Sequence, residues 1–121
     1  MFVSSIDPVS AERPAAARRL VRSKLAGMTP VVIGTVELLT SELMNNAIVH
    51  GSGLADLVLE IEDGCVHVEV RDFEPTVELA PLQLEASSVR GRGLAIVDAL
   101  AAKWGVESRP GGKVVWFDVT T

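Results

Sequence analysis

The sequence predicts one α+β domain, a two-layer sandwich with about three helices on one face of a mixed, mainly antiparallel sheet. Three observations predict it. Two pairs of alternating apolar segments are joined by tight-turn signals, Asp63-Gly64 and Pro110-Gly111-Gly112, which is the signature of antiparallel hairpins. Helical patterns between them carry apolar stripes that must be buried on something. The 121 residues, 48% apolar and 22% charged, suffice for one globular core and are too few for two ordinary ones.

Composition narrows the class further. With three Phe, two Trp and no Tyr, the core must be mainly aliphatic. Sixteen acids against eleven bases give a net charge of −5, opposite in sign to a duplex-binding surface, so no direct nucleic-acid partner is expected. No run of about 18 apolar residues offers a membrane span. The opening residues, Met1-Phe2-Val3-Ser4-Ser5-Ile6-Asp7-Pro8, lack the charged and apolar regions of a signal peptide. Cys65 is the one cysteine, so no internal disulfide can form. The expected compartment is the cytoplasm.

Taken in order, Phe2 to Ile6 is a short β-prone run that Asp7-Pro8 breaks. Residues from about Ser10 to Leu25 are helical in pattern, with Ala15, Ala16, Leu20 and Val21 on one side and Pro14 in the first turn. Arg13, Arg18, Arg19, Arg22 and Lys24 place five of the eleven cations here. They read either as a solvated helix face or as a docking patch for an acidic partner. Gly27 ends the helix, and Thr29-Pro30 opens the next as a cap followed by proline at the first helical position. That second helix runs to His50 and stops at Gly51-Ser52-Gly53. Leu57, Leu59 and Ile61 then alternate with Val58, Glu60 and Glu62, and Val66, Val68 and Val70 face inward on the returning strand. Asp72 shares the parity of those valines. A carboxylate on the core side needs a hydrogen-bond partner, either nearby backbone N–H groups or a ligand.

Residues 73 to 90 carry no clear period, and an irregular segment of this length in a small domain is usually functional or disordered. Gly91-Arg92-Gly93 leads into a helix with Leu94, Val97, Leu100 and Trp104 at helical spacing. A glycine turn at a helix N-terminus is suited to an anion. Trp104 to Arg109 and Lys113 to Val119 form the last hairpin, with Val115, Phe117 and Val119 inward.

The second helix holds the densest chemistry. Val32, Val36, Leu39 and Leu43 define its buried face. Asn46 and His50 continue that face, and Glu42 sits on its edge, each one turn from the next. Apolar first and polar second, this inner face reads as the wall of a pocket.

Three motifs in this order resemble the GHKL superfamily of ATPases. Glu42-Leu43-Met44-Asn45-Asn46-Ala47-Ile48-Val49-His50 is similar to its N-box. Val68-Glu69-Val70-Arg71-Asp72 resembles the strand that leads to the adenine-binding aspartate. Gly91-Arg92-Gly93-Leu94-Ala95-Ile96-Val97 resembles the second glycine box. Within the superfamily the chain looks most like the small standalone anti-sigma-factor serine kinases of bacteria, and the likeness covers nearly its whole length.

The resemblance implies a Bergerat (histidine-kinase-like) fold with ATP and Mg²⁺ as ligands. Asn46 would bind the metal through its amide oxygen, a donor suited to a hard cation. Glu42 would be the general base toward a serine or threonine hydroxyl on a bound protein. Asp72 would accept the adenine amino hydrogen. Gly91, Arg92, Gly93 and Leu94 would meet the phosphates, and His50 has no clear catalytic task. The partners implied are a sigma factor, an anti-anti-sigma protein, or both, and a homodimer is compatible with the family.

One departure stands out. Many superfamily members read Asp-x-Gly-x-Gly after the strand, where this chain has Asp72-Phe73-Glu74-Pro75. That keeps open a second class, a regulatory binding module with weak or no turnover. A fragment of a sensor kinase and a metal hydrolase built on Glu42, Asn46 and His50 are weaker readings, the latter because Asn is a poor zinc ligand.

Overall fold

Apolar alternation at period two and apolar stripes at period 3.6 each leave one face to be covered, and the chain covers them with one another. The computed structural model describes residues 3–10, 13–50, 54–72 and 93–121, the side chains of 46–50, 93 and 94 excepted. The elements in order are β1 (Val3–Ser10), α1 (Pro14–Lys24), α2 (Pro30–His50), β2 (Leu54–Glu62), β3 (Cys65–Asp72), α3 (Gly93–Leu100), β4 (Lys103–Arg109) and β5 (Gly112–Thr120). This is the expected β-α-α-β-β-α-β-β order.

The five strands form one sheet in the order β1-β2-β3-β5-β4, and each of its four pairings is antiparallel. The expected mixture of pairings therefore reduces to antiparallel ladders. β3 and β4 do run the same way, but β5 lies between them. α3 carries the chain across that gap from one to the other.

Both tight hairpins form where the turn chemistry places them. Glu62 pairs with Cys65 around Asp63-Gly64, and Arg109 pairs with Gly112 around Pro110-Gly111. Gly64 and Gly111 take φ of 84° and 83°, a region that costs a side chain energy and costs glycine little.

All helices cover one face. Ala17, Val21 and Leu25 from α1 and the loop after it, Val36, Leu39, Leu43 and Met44 from α2, and Val97 from α3 pack on Leu57, Leu59, Val66, Val68, Val70, Val115, Phe117 and Val119. The inner strand residues match the expected parity. The α1 stripe matches in part: Val21 is buried and Leu20 packs against the core, but Ala15 is exposed, and Ala17 and Leu25 complete the buried row. Packing on α2, with its own wide apolar stripe, turns α1 by about one residue from the face that sequence spacing suggests.

Caps and breakers behave as local chemistry requires, with two corrections. Thr29 Oγ1 accepts from the Val32 N–H at 3.2 Å, with Pro30 as the first helical residue, so the cap at α2 is as expected. Pro14 likewise opens α1. β1, however, does not break at Asp7-Pro8 but continues to Ser10. It is an edge strand, and proline is tolerated where its missing N–H would face no ladder. The second correction concerns only the helical spacing of Trp104, which was also expected to open the last hairpin and does lie there. α3 ends at Leu100, which is 49% exposed, and Trp104 belongs to β4 opposite Phe117. Its indole Nε1 donates to Asp98 on α3 at 2.8 Å, a link that ties the helix to the strand.

Candidate functional site

Across β2, β3, β5 and β4, successive rows of the inner face are apolar until the last one. Leu59, Val68, Phe117 and Trp104 form one, and Leu57, Val70, Val115 and Val106 the next. The row beyond reads Val9, Ala55, Asp72, Lys113 and Ser108. Asp72 and Lys113 are direct cross-strand partners, which puts their Cβ atoms roughly 4.5–5.5 Å apart. Asp72 is 4% exposed and Lys113 7%. A recess of about 180 Å³ opens beside them, lined also by Arg71, Arg109, the turn Pro110-Gly111-Gly112, and Val114.

Burial and parity at Asp72 are as the alternation in β3 dictates. Lys113 is what sequence reasoning passed over. The signal was there: it shares the parity of Val115, Phe117 and Val119 and follows a turn, so its stem had to lie on the core side. Burial lowers the Lys113 pKa, and the nearby Asp72 charge works against that shift. Among the described residues, the Lys113 Nζ has no hydrogen-bond partner.

Connectivity brings further elements to this end of the sheet. Ala55, beside Asp72, is the second residue of β2, and only residues 51–53 separate β2 from the end of α2 at His50. Four Cα steps reach about 15 Å at most, so the last turns of α2 lie toward the same end. α3 ends next to the start of β4, at the end of the sheet away from Asp72, and it packs against α2.

The individual site residues stand as follows. Glu42 is half-buried on α2, between half-buried Ser41 and buried Leu43, and it does not line the recess beside Asp72. Asn46 and His50 lie on α2, but their side chains are outside the described residues, as is that of Leu94. Gly91, Arg92 and Glu74 lie wholly outside them. Gly93 is the first residue of α3. What the described residues bring together at this end of the sheet is Asp72 and Lys113, with the C-terminal part of α2 toward the same end.

The cation-rich helix α1 has an intramolecular use for two of its charges. Arg22 grips Glu37 of α2 with two hydrogen bonds, at 2.8 and 3.1 Å, and Arg18 donates to Ser41 Oγ at 3.1 Å. Ser41 in turn donates to the Glu37 carbonyl. These contacts hold α1 on the half of α2 just before Glu42.

The other face of the sheet carries a separate polar network. His67 is held between Asp118 and Glu69, the latter at 2.9 Å, and Glu69 also accepts from Arg71 at 2.9 Å. The Trp116 ring lies 5.5 Å from the imidazole. Burial alone would lower the His67 pKa, but the two carboxylates outweigh it and the net shift is upward. Burial likewise tends to raise Glu69, while His67 and Arg71 bring it below its ordinary range. The sheet separates this network from Asp72.

Comparison with known proteins agrees with the fold and extends it. The structure of the histidine kinase AdeS from Acinetobacter baumannii superposes with a TM-score of 0.56 at 11% identity, over 96% of this chain and 67% of that one. At that identity the likeness shows the fold alone. A search of curated protein sequences finds no match. The model of the histidine kinase-like ATPase domain matches residues 8–119, from the middle of β1 almost to the end of β5. On that match the chain belongs to the histidine kinase-like ATPase domain family.

Proposed function

We propose that the chain is an ATP- and Mg²⁺-dependent protein serine/threonine kinase that acts as an anti-sigma or related regulatory factor in the cytoplasm. Its substrate would be a small antagonist protein. The observation that carries the ligand half of this reading is Asp72: a carboxylate 4% exposed, at the open end of a sheet, beside a recess. Family membership implies ATP, and a buried acceptor at a recess suits the amino hydrogen of a purine. The protein-kinase half rests on Glu42 and Asn46 standing one turn apart on α2.

Phosphoryl transfer needs positioning and charge neutralisation more than covalent help from the protein. Glu42 accepts the proton of the incoming serine or threonine hydroxyl. That oxygen forms the new bond to the γ-phosphorus as the bond to the β-phosphate oxygen breaks, and ADP leaves. Asn46 would hold Mg²⁺, which when bound neutralises phosphate charge. The α3 N-terminus with Gly91, Arg92, Gly93 and Leu94 would receive the phosphates through backbone N–H groups. A bound sigma factor or anti-anti-sigma protein supplies the hydroxyl or is held without reaction.

The test is transfer of labelled γ-phosphate to a small anti-sigma-antagonist protein. Wild type should label a serine or threonine on it. Glu42→Ala should reduce the rate at least a hundredfold, the low end for loss of a general base, while ATP affinity stays within about threefold. Equal rates for Glu42→Ala and wild type would remove Glu42 from the base role.

A second reading, a binding module without turnover, is favoured by Glu74 standing where relatives in the resembling superfamily have glycine. Tight ATP binding by wild type with no phosphate transferred to any antagonist would select it.

A further inference from the structure

The innermost polar row of the sheet contains more than its role as an adenine site requires. A single acceptor, Asp72, suffices for an amino hydrogen. Beside it stands Lys113, an ammonium in a position whose successors on β5 are Val115, Phe117 and Val119. Lysine is seldom buried without a partner, and an unpaired buried charge is costly. Yet Lys113 is 7% exposed and its Nζ meets no acceptor among the described residues. The lysine pKa falls through burial, as expected for an ammonium removed from water without full compensation.

The other two cations at the recess are differently placed. Arg71 donates to Glu69 at 2.9 Å and Arg109 to Glu107 at 3.2 Å, each on its own strand. Among the described residues, Lys113 is the buried recess cation whose donors meet no acceptor. A phosphate is a poor candidate for them, because the Asp72 carboxylate is the direct cross-strand neighbour and would repel it. What fits an acceptor and a donor side by side is a ligand edge with an N–H next to a lone pair. The adenine edge has that pattern, with the N6 amino group beside N1.

Resting on the ATP reading above, we propose that Lys113 is a base-reading residue that donates from Nζ to N1 of the adenine whose N6 hydrogen Asp72 accepts. The pair then reads two adjacent atoms of the base. It also gives the buried ammonium its acceptor, so base binding and relief of the lysine are one event.

The experiment is titration calorimetry of the full chain with Mg²⁺ and ATP, 1-deaza-ATP (N1 replaced by C–H) or GTP. Wild type, Lys113→Met and Lys113→Gln are compared, with circular dichroism to confirm that each is folded. Wild type should bind 1-deaza-ATP about tenfold or more weakly than ATP, the low end for a hydrogen bond from a charged donor. Lys113→Met should bind ATP weakly by a similar factor and no longer discriminate the two. Lys113→Gln, which keeps a neutral donor, should fall between.

Equal binding of ATP and 1-deaza-ATP by wild type overturns the proposal without needing any variant. So does Lys113→Met that binds ATP as tightly as wild type, or GTP preferred over ATP, since guanine presents the reverse order of donor and acceptor. If wild type binds none of the three nucleotides, the ATP reading itself fails, an outcome distinct from ATP binding that ignores N1.

Discussion

His67 illustrates how much a single side chain depends on neighbours distant in sequence. Alternation placed it on the outer face of β3, but its partner Asp118 is on β5 and its ring neighbour Trp116 is two residues before. Its pKa is raised in the folded state, so protonation is favoured there. The sign follows by linkage: its contribution is complete below the unfolded value, about 6.5, and is lost as pH rises through the higher folded value. His67→Gln should therefore melt below wild type at pH 6, with the gap narrowing toward pH 9 in thermal scans. Gly105 is the matching backbone case. A Cβ there would lie 2.8–2.9 Å from the Trp116 indole, which is cover for a strand glycine. Gly105→Ala should displace Trp116 and lower the melting temperature, with a change in tryptophan fluorescence. Residue identity was legible at Asp72, because strand parity alone decides its face. At Lys113 the same parity was available, but a lysine after a glycine turn reads as surface until its burial is seen.

At the scale of elements, sequence patterns located nearly every strand and helix and misjudged where some of them face. Spacing put Ala15, Ala16, Leu20 and Val21 on the buried side of α1; Val21 is buried, but Ala15 is exposed and Ala17 and Leu25 take the other buried places. Small alanines define a stripe poorly, and the Arg22–Glu37 and Arg18–Ser41 contacts fix the rotation instead. Those contacts also answer part of the question posed by five cations on one helix. Two of them serve the α1–α2 junction, and Arg13, Arg19 and Lys24 remain for solvent or partner. β1 ran through Pro8 because an edge strand tolerates what a central one does not. The α2 stripe was legible from Val36 to Leu43, since Val36, Leu39 and Leu43 follow strict helical spacing and are all buried. Leu39→Ala should cost about 2–5 kcal/mol in urea unfolding, the range for leucine truncation in a packed core. That is a large share of the roughly 5–15 kcal/mol that holds a domain of this kind together.

On the scale of the whole molecule, order along the chain was readable and order across the sheet was not. Nothing in the period of β3, β4 or β5 says that the last strand inserts between the other two. The crossover through α3 is a property of packing, fixed by which edges are free when helices cover one face. The candidate site inherits this: its motifs are recognisable in sequence, but Asp72 meets Lys113 only because β5 pairs with β3. Ligand binding should therefore stabilise the molecule globally. ATP with Mg²⁺ at a hundred times its Kd should add about 2.7 kcal/mol to unfolding free energy. Asp72→Asn should lose most of that gain under the same ligand concentration, which chemical denaturation with and without nucleotide will measure.

Inserting β5 between β3 and β4 has a kinetic consequence. Asp72 and Lys113 become neighbours only when β5 docks along β3, a pairing of high sequence separation that must first meet its loop-closure entropy. Until then β3 is an open edge and the Asp72–Lys113 row is split between two parts of the chain. During refolding, nucleotide binding should thus appear with the docking of β5 and never ahead of it. A refolding burst that already binds ATP would mean that the row assembles before the sheet is complete.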